Sequence, residues 1–258
     1  MMNIHPTAIV HPNAKIASDV TIGPYSIIGE NVTIQQGTVI DSHVTIHGVT
    51  TIGQNNRFYS HASIGCDPQD KKYQGEATAL EIGDSNTFRE YITVSTGTVQ
   101  DKGVTRIGDN NWFMATVHIA HDCQIGSHTI FANSASLAGH VKVGDWAIIS
   151  GFCLVHQFVT IGEHVLISYN TGVGQDIPPY VIAQGYRAQP HGINSEGLRR
   201  RGFSAEAITE IKRAYKLIYR QDLPLEVAKT QIAEKAKIMP ELELFNRFFA
   251  QSTRGLIR

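Results

Sequence analysis

Cysteine is scarce in this chain. Cys66, Cys123 and Cys153 are an odd number in 258 residues, and none of their spacings is that of a metal site, so neither a disulfide framework nor a cysteine zinc site is expected. A reducing compartment fits. Long apolar runs are missing too: no stretch of eighteen occurs, which leaves no candidate transmembrane helix. The opening Met1-Met2-Asn3-Ile4-His5-Pro6 has neither the basic nor the apolar region of a secretory leader. The chain is therefore expected to be cytoplasmic, without membrane insertion. Charged residues make up only 17%, with a net charge of −1. No basic stripe is interleaved with aromatics, so nucleic acid is not an expected partner. What remains is 42% hydrophobic content in a chain long enough to bury a core, as one large domain or a large and a small one.

That apolar content is periodic. Every sixth residue from Ile4 is large and apolar, through Val10, Ile16, Ile22, Ile28, Ile34, Ile40, Ile46, Ile52, Phe58 and Ile64. The period resumes at Ile82, Phe88 and Val94, shifts phase by one, and continues through Ile107, Phe113, Ile119, Ile125, Phe131, Leu137, Val143, Ile149, Val155, Ile161, Ile167 and Val173. With each position 42% hydrophobic by chance, the last twelve would align on the order of 3 times in 10⁵. A period of six fits neither a helix nor a flat half-buried strand. It fits the hexapeptide coils of a parallel β-helix, three hexapeptides to a coil, with residues eighteen apart stacked at about 4.8 Å. Small or β-branched residues four positions on, among them Val117, Cys123, Ala135 and Cys153, suit a narrow interior. The two cysteines then read as core filler.

Two polar stretches interrupt the period, 65–80 and 97–105, and are expected to project as loops from a prism of about nine coils. The repeat ends at Gln175-Asp176-Ile177-Pro178-Pro179, where two prolines are expected to stop the ladder. The expected division is thus a β-helix over 1–177 and a helical domain over 178–258. In the latter, Ser204 is a good N-cap for a helix to about Arg220, Pro224 opens a second helix and Pro240 a third. Residues 1–177 carry a charge of −7 and 178–258 a charge of +6. That split suggests an acidic partner for the C-terminal part, or equally a solvated basic helix face.

The chemistry-bearing stretch is Val117-His118-Ile119-Ala120-His121-Asp122-Cys123. With Ile119 in the apolar slot, the histidines and the aspartate lie near a corner. The eighteen-residue stack puts His121, Gly139 and Gln157 on one line, with His140 beside Gly139. An imidazole is suited to taking a proton from a hydroxyl, Asp122 can fix its tautomer, and the Gly139 amide can receive an oxyanion. This suits acyl transfer to an alcohol or amine. Three other readings stay open: solvated corner histidines, a zinc set of His118, His121 and His140 as in hydratases of the γ-carbonic anhydrase type, and a scaffold without catalysis.

Several stretches together carry a resemblance. They are Gln69-Asp70-Lys71-Lys72-Tyr73-Gln74-Gly75-Glu76, His118-Ile119-Ala120-His121-Asp122-Cys123, Leu137-Ala138-Gly139-His140, Val155-His156-Gln157-Phe158, Gln175 through Val181, Asn194 through Phe203, and Ser252 through Arg258. Over nearly its whole length the chain resembles the UDP-N-acetylglucosamine O-acyltransferases. The resemblance implies an all-β solenoid, a left-handed parallel β-helix of hexapeptide repeats with a small C-terminal α-helical domain, assembled as a homotrimer with active sites between subunits. It implies transfer of a 3-hydroxyacyl group from acyl carrier protein to the glucosamine 3-hydroxyl of UDP-N-acetylglucosamine, the first step of lipid A biosynthesis, without a further cofactor or metal. His121 would be the general base, Asp122 its orienting partner and the Gly139 amide the oxyanion donor. Asp70, Lys72, His118, His140 and Gln157 would contact the sugar nucleotide or the acyl donor. Asn194, Glu196, Arg200 and Arg201 would hold the UDP end, and acyl carrier protein, being acidic, would suit the +6 part.

Three departures stand out. Ser95-Thr96 replaces a His-Arg pair common in the family, which leaves room for a 3-amino sugar as acceptor. In the expected acyl cleft, with His156, Arg187 stands where many members have histidine. Tyr169 occupies the position of the family's hydrocarbon ruler, often glycine. A tyrosine there predicts a shorter acyl chain, each excluded methylene forfeiting about 0.8 kcal/mol of burial. Assay of an acyl-donor length series with the wild type and Tyr169→Gly tests this: the glycine variant is expected to accept longer chains, and an unchanged preference removes the role.

Overall fold

The six-residue period folds into pairs of extended residues separated by corners. The computed structural model describes residues 3–258. Strands of mostly two residues, such as Thr21–Ile22, Ile27–Ile28 and Val39–Ile40, form three parallel sheets of eleven, nine and eight strands. Each sheet takes every third strand in turn. The coils wind left-handed. In each pair the second residue points inward: Ile22, Ile40, Phe58, Phe88, Phe113 and Phe131 are all 1% exposed or less.

Register is kept across both interruptions. Phe58 pairs with Phe88, thirty residues on, and Phe88 with Phe113, twenty-five on, where an unbroken coil would need eighteen. The extra residues leave as loops between Cys66 and Ala79 and between Ser95 and Val104, the strands on either side staying in the ladder. The rings of Phe58, Phe88, Phe113 and Phe131 follow at centroid spacings of 4.7, 4.9 and 5.0 Å, the first three stacked and the last tilted, close to the strand spacing itself. Cys123 and Cys153 are buried in the core, and burial pushes the Cys123 thiol up to about 12.

The corners impose a backbone that composition did not reveal. Non-glycine residues recur there in the left-handed region, including His43, His61, Asp122, His128, His140, Trp146, Phe158, His164 and Tyr180. Each such residue costs roughly 1–3 kcal/mol unless the surroundings hold it. Here most of these corner amides bond to a carbonyl of the preceding coil, as from His140 to His121 at 2.9 Å and from Phe158 to Gly139 at 3.1 Å. Many corner rings also stack, such as His43 on His61 and His128 on Trp146.

The ladder does not stop at Pro178-Pro179. Val181–Gln184 pairs in parallel with Leu166–Ile167, adding one more rung to the eleven-stranded sheet. The prolines stand in the corner before Tyr180 and not in a strand, so the missing amides remove no ladder bond. The antiparallel strand Gln189–Ile193 then covers the last edge.

Helix α1, Ser195–Arg200, was not foreseen; α2, Ala205–Tyr219, starts where expected, with the Ser204 hydroxyl accepting from the Ala207 amide. Helix α3 spans Leu225–Ala236. The Pro240 start is a short 3₁₀ turn leading into α4, Glu243–Gln251. The C-terminus returns to the prism at Asp176, which is fully buried. One Asp176 oxygen accepts from the Thr160 amide at 2.7 Å, the other from the Ser252 hydroxyl and the amides of Thr253 and Arg254. Among the described residues no helix is long and apolar enough to cross a membrane.

His164, 8% exposed, accepts from the Arg201 guanidinium on Nδ1 at 3.1 Å. Burial and then that cation push its pKa from 6.5 down to about 4. Protonation therefore favours the unfolded chain: the stabilisation is full above pH 6.5 and is lost as pH falls toward 4, on the order of 3 kcal/mol. Urea unfolding at pH 7.5 and pH 4 is expected to show that much more acid loss in the wild type than in His164→Gln; equal losses would contradict it.

Candidate active site

The residues of the chemistry-bearing stretch divide by geometry. Ile119 faces the core, fully buried. His118, one residue before it in the nine-stranded sheet, shares a 2.7 Å hydrogen bond through Nδ1 with Thr93 on the neighbouring coil. Burial, then the nearby His121, holds its pKa below the ordinary value. His121 and Asp122 occupy the corner that follows. The Asp122 side chain is fully enclosed, and its Oδ2 lies 2.9 Å from His121 Nδ1.

Asp122 is held from several directions. The Thr98 amide donates to both carboxylate oxygens, at 3.0 and 3.1 Å, and the Thr98 hydroxyl donates to Oδ2 at 2.6 Å. Its own amide, in the left-handed corner conformation, donates to the Thr105 hydroxyl at 2.8 Å. Burial alone would raise its pKa; the bonds from His121 and Thr98, with His140 nearby, hold it below the usual carboxylate range. An ionised Asp122 accepts the His121 Nδ1 proton, which leaves the Nε2 lone pair free for the cleft.

Gly139 lies one coil above, against the face of the His121 ring. A Cβ there would come within 2.5 Å of His121 Cε1 and 2.7 Å of Nε2, so only glycine leaves the ring its place. The Gly139 carbonyl accepts from Phe158, while its amide makes no hydrogen bond among the described residues. His140 meets His121 edge to face at 5.0 Å. His121, Asp122, His140, Gln157, Asp70 and Lys72 line one cleft of about 810 Å³, walled by the two projecting loops. A second, adjacent cleft of about 630 Å³ holds His156 and Arg187, with Leu154, Val173 and Tyr186.

The C-terminal part, residues 176–257, matches the model of UDP N-acetylglucosamine O-acyltransferase domain 2, and residues 2–36 and 105–139 match bacterial transferase hexapeptide repeats. The acyl-[acyl-carrier-protein]–UDP-N-acetylglucosamine O-acyltransferase of Thiobacillus denitrificans is 59% identical over the full length of both chains. The chain belongs to this acyltransferase family. Solved structures agree: LpxA from Acinetobacter baumannii is 47% identical with a TM-score of 0.97, covering 99% of each chain. The UDP-N-acetylglucosamine acyltransferase of Francisella novicida is 45% identical, also with a TM-score of 0.97, over 99% of this chain and 94% of its own.

Other residues that the family resemblance singles out lie elsewhere in the chain. Asn194 is 5% exposed and caps α1, accepting from the Gly197 amide and donating to the His164 carbonyl. Glu196 is paired with Arg199 and Arg200. Arg201 donates to His164 and to the Trp146 carbonyl, its guanidinium 5.1 Å from the Trp146 ring centre. None of the four lines the His121 cleft within one chain. Tyr169, 76% exposed, lines neither cleft. Ser95 and Thr96 are buried beneath the loops at 2% and 3% exposure, Thr96 accepting from the Thr78 hydroxyl. Within one chain the three-histidine zinc set is not assembled: among the described residues the potential ligands gathered within 4.8 Å are His121, Asp122 and His140, without His118. Asp122 is already committed to Thr98 and His121.

Thr98 and Thr105 went unread in the sequence. Thr98 belongs to the interruption after Val94, where the hexapeptide register gives no position to a residue; Thr105 stands in the strand that resumes the ladder, paired with Leu80.

Gly139→Ala is expected to keep the melting temperature while displacing the His121 ring and lowering kcat about 10²-fold. Wild-type kcat in a folded variant would show that the close approach is irrelevant to the chemistry.

Proposed function

We propose that the chain transfers a 3-hydroxyacyl group from acyl carrier protein to the glucosamine 3-hydroxyl of UDP-N-acetylglucosamine, the first step of lipid A biosynthesis. The observation that carries this is the His121–Asp122 pair, fixed by Thr98 and facing the unpaired Gly139 amide, in a member of this acyltransferase family. His121 Nε2 takes the hydroxyl proton as the oxygen attacks the thioester carbonyl. The negative charge formed on the carbonyl oxygen falls to the Gly139 amide. Collapse breaks the carbon–sulfur bond, and the His121 imidazolium returns the proton to the departing sulfur. Asp122 stays ionised throughout and stabilises that imidazolium. The step needs no cofactor beyond the acyl donor, and a carrier-protein donor supports a cytoplasmic location on this reading.

The second cleft suits the acyl chain, with His156 and Arg187 at its rim. Asp70, Lys72, His118, His140 and Gln157 are assigned to the sugar nucleotide or the acyl donor. Asn194, Glu196, Arg200 and Arg201, remote from His121 in one chain, are assigned to the UDP end of a neighbouring subunit's site in a homotrimer. Exposed Ile9, Trp112, Ile130 and Leu154 on the sides of the prism support such self-association. Tyr169, open to solvent in one chain, acts as the hydrocarbon stop on this reading once a neighbouring subunit adjoins it.

Mass analysis of the product from UDP-N-acetylglucosamine and a mixed acyl-carrier pool is expected to show one added 3-hydroxyacyl group, released by mild base as an ester is. An alkali-stable amide from a 3-amino acceptor would point to the other sugar. His121→Ala is expected to lose on the order of 10²- to 10⁴-fold in rate with the assembly intact by light scattering. Near-wild-type turnover would sink the general-base role.

A further inference from the structure

The loop that carries Thr98 reaches a second histidine three residues later. Asp101 Oδ2 lies 2.9 Å from His140 Nδ1. The same nitrogen is 3.8 Å from Asp122 Oδ2, and the imidazole is 12% exposed. Phe158, one coil above, stacks on the His140 ring at 4.3 Å with 9° between the planes. The ring is thus fixed on one edge by a carboxylate and on one face by a phenyl group, and its Nε2 has no hydrogen-bond partner among the described residues. Lys102 and Lys142 line the same cleft as His121.

We propose that Asp101 and His140 form a second histidine–carboxylate pair, which positions the acceptor sugar beside His121. With the Nδ1 proton donated to Asp101, Nε2 presents a lone pair to the cleft. His121 presents its own Nε2 in the same way, and the two rings are 5.0 Å apart. One lone pair takes the reacting proton; the other accepts a hydrogen bond from a neighbouring hydroxyl or amide of the same sugar and so fixes its orientation. Asp101, at the rim of the same cleft, acts through His140, as a positioning residue. One loop serves both pairs, because Thr98 holds Asp122 and Asp101 holds His140. The identity of the acceptor rests on the acyl-transfer reading; the pair itself does not.

The test uses the full chain with Asp101→Ala, Asp101→Asn and Asp101→Glu. Asp101→Ala is expected to raise KM for the sugar nucleotide about tenfold, the effect of one hydrogen bond of ordinary strength. KM for the acyl donor and the melting temperature should hold. Asp101→Asn retains an acceptor oxygen and is expected to stay within about threefold of wild type on the same grounds, and Asp101→Glu to restore most of the loss. Independently of turnover, ¹⁵N shifts of labelled histidine, assigned with His140→Gln, should show the Nδ1–H form for His140 in the wild type and a mixture in Asp101→Ala. An unchanged sugar KM in Asp101→Ala, no recovery in Asp101→Glu, or an unaltered His140 tautomer would each overturn the proposal. If the wild type fails to acylate UDP-N-acetylglucosamine, the acyl-transfer reading falls alone, and the ¹⁵N measurement still decides the pair.

Discussion

Everything in this molecule depends on one register: each inward residue must land on its counterpart in the next coil at the strand spacing. Dispersion between stacked side chains is small per contact and large in sum, and the phenylalanine ladder from Phe58 to Phe131 shows how strictly it is kept. A coil constrained in this way can lengthen only at a corner. Both long loops leave between the nine-stranded and the eight-stranded sheet, the edge that also holds His121, His140 and Phe158. Both insertions are thus gathered at one edge, and the cleft lies between them and the stack.

The corners make the site rigid. Asp122, His140 and Phe158 all have left-handed backbones on one line, each tied to the coil below, so their side chains leave from fixed points. Aspartate and histidine are among the residues that accept this conformation most readily. The chemistry therefore rests on positions whose backbone is determined twice, once by the turn and once by the stack. The loops then supply what the stack cannot, the second partner of each acid or imidazole.

How much of this was legible follows from which interactions are periodic. The sheets, the inward residues and the line through His121, Gly139 and Gln157 could be read because a period of six converts directly into position. Ser204 marked its helix through a capping hydrogen bond, and Pro224 marked the next through its fixed backbone angle at the helix start. Residues outside the period were silent: nothing local connects Thr98 to Asp122 twenty-four residues on, or Asp101 to His140 thirty-nine residues on. Pro178-Pro179 misled for the opposite reason. Proline is barred from a central strand, but these two stand in a corner, and the ladder resumes at Val181. Asn194 shows a further limit, since a side chain that caps a helix and bridges to His164 looks in sequence like any other exposed amide.

The buried carboxylate of Asp176 has a consequence for the order in which the molecule is completed. Two of its partners, the Ser252 hydroxyl and the Arg254 amide, are made 76 and 78 residues after it. Until they arrive, a charge at the end of the stack is without the donors that make its enclosure tolerable. Before they dock, water can serve the carboxyl group; once they dock, their donors take the place of that water. Docking of residues 252–254 and enclosure of the Asp176 side chain therefore occur together, and those residues meet Asp176 through a single carboxyl oxygen.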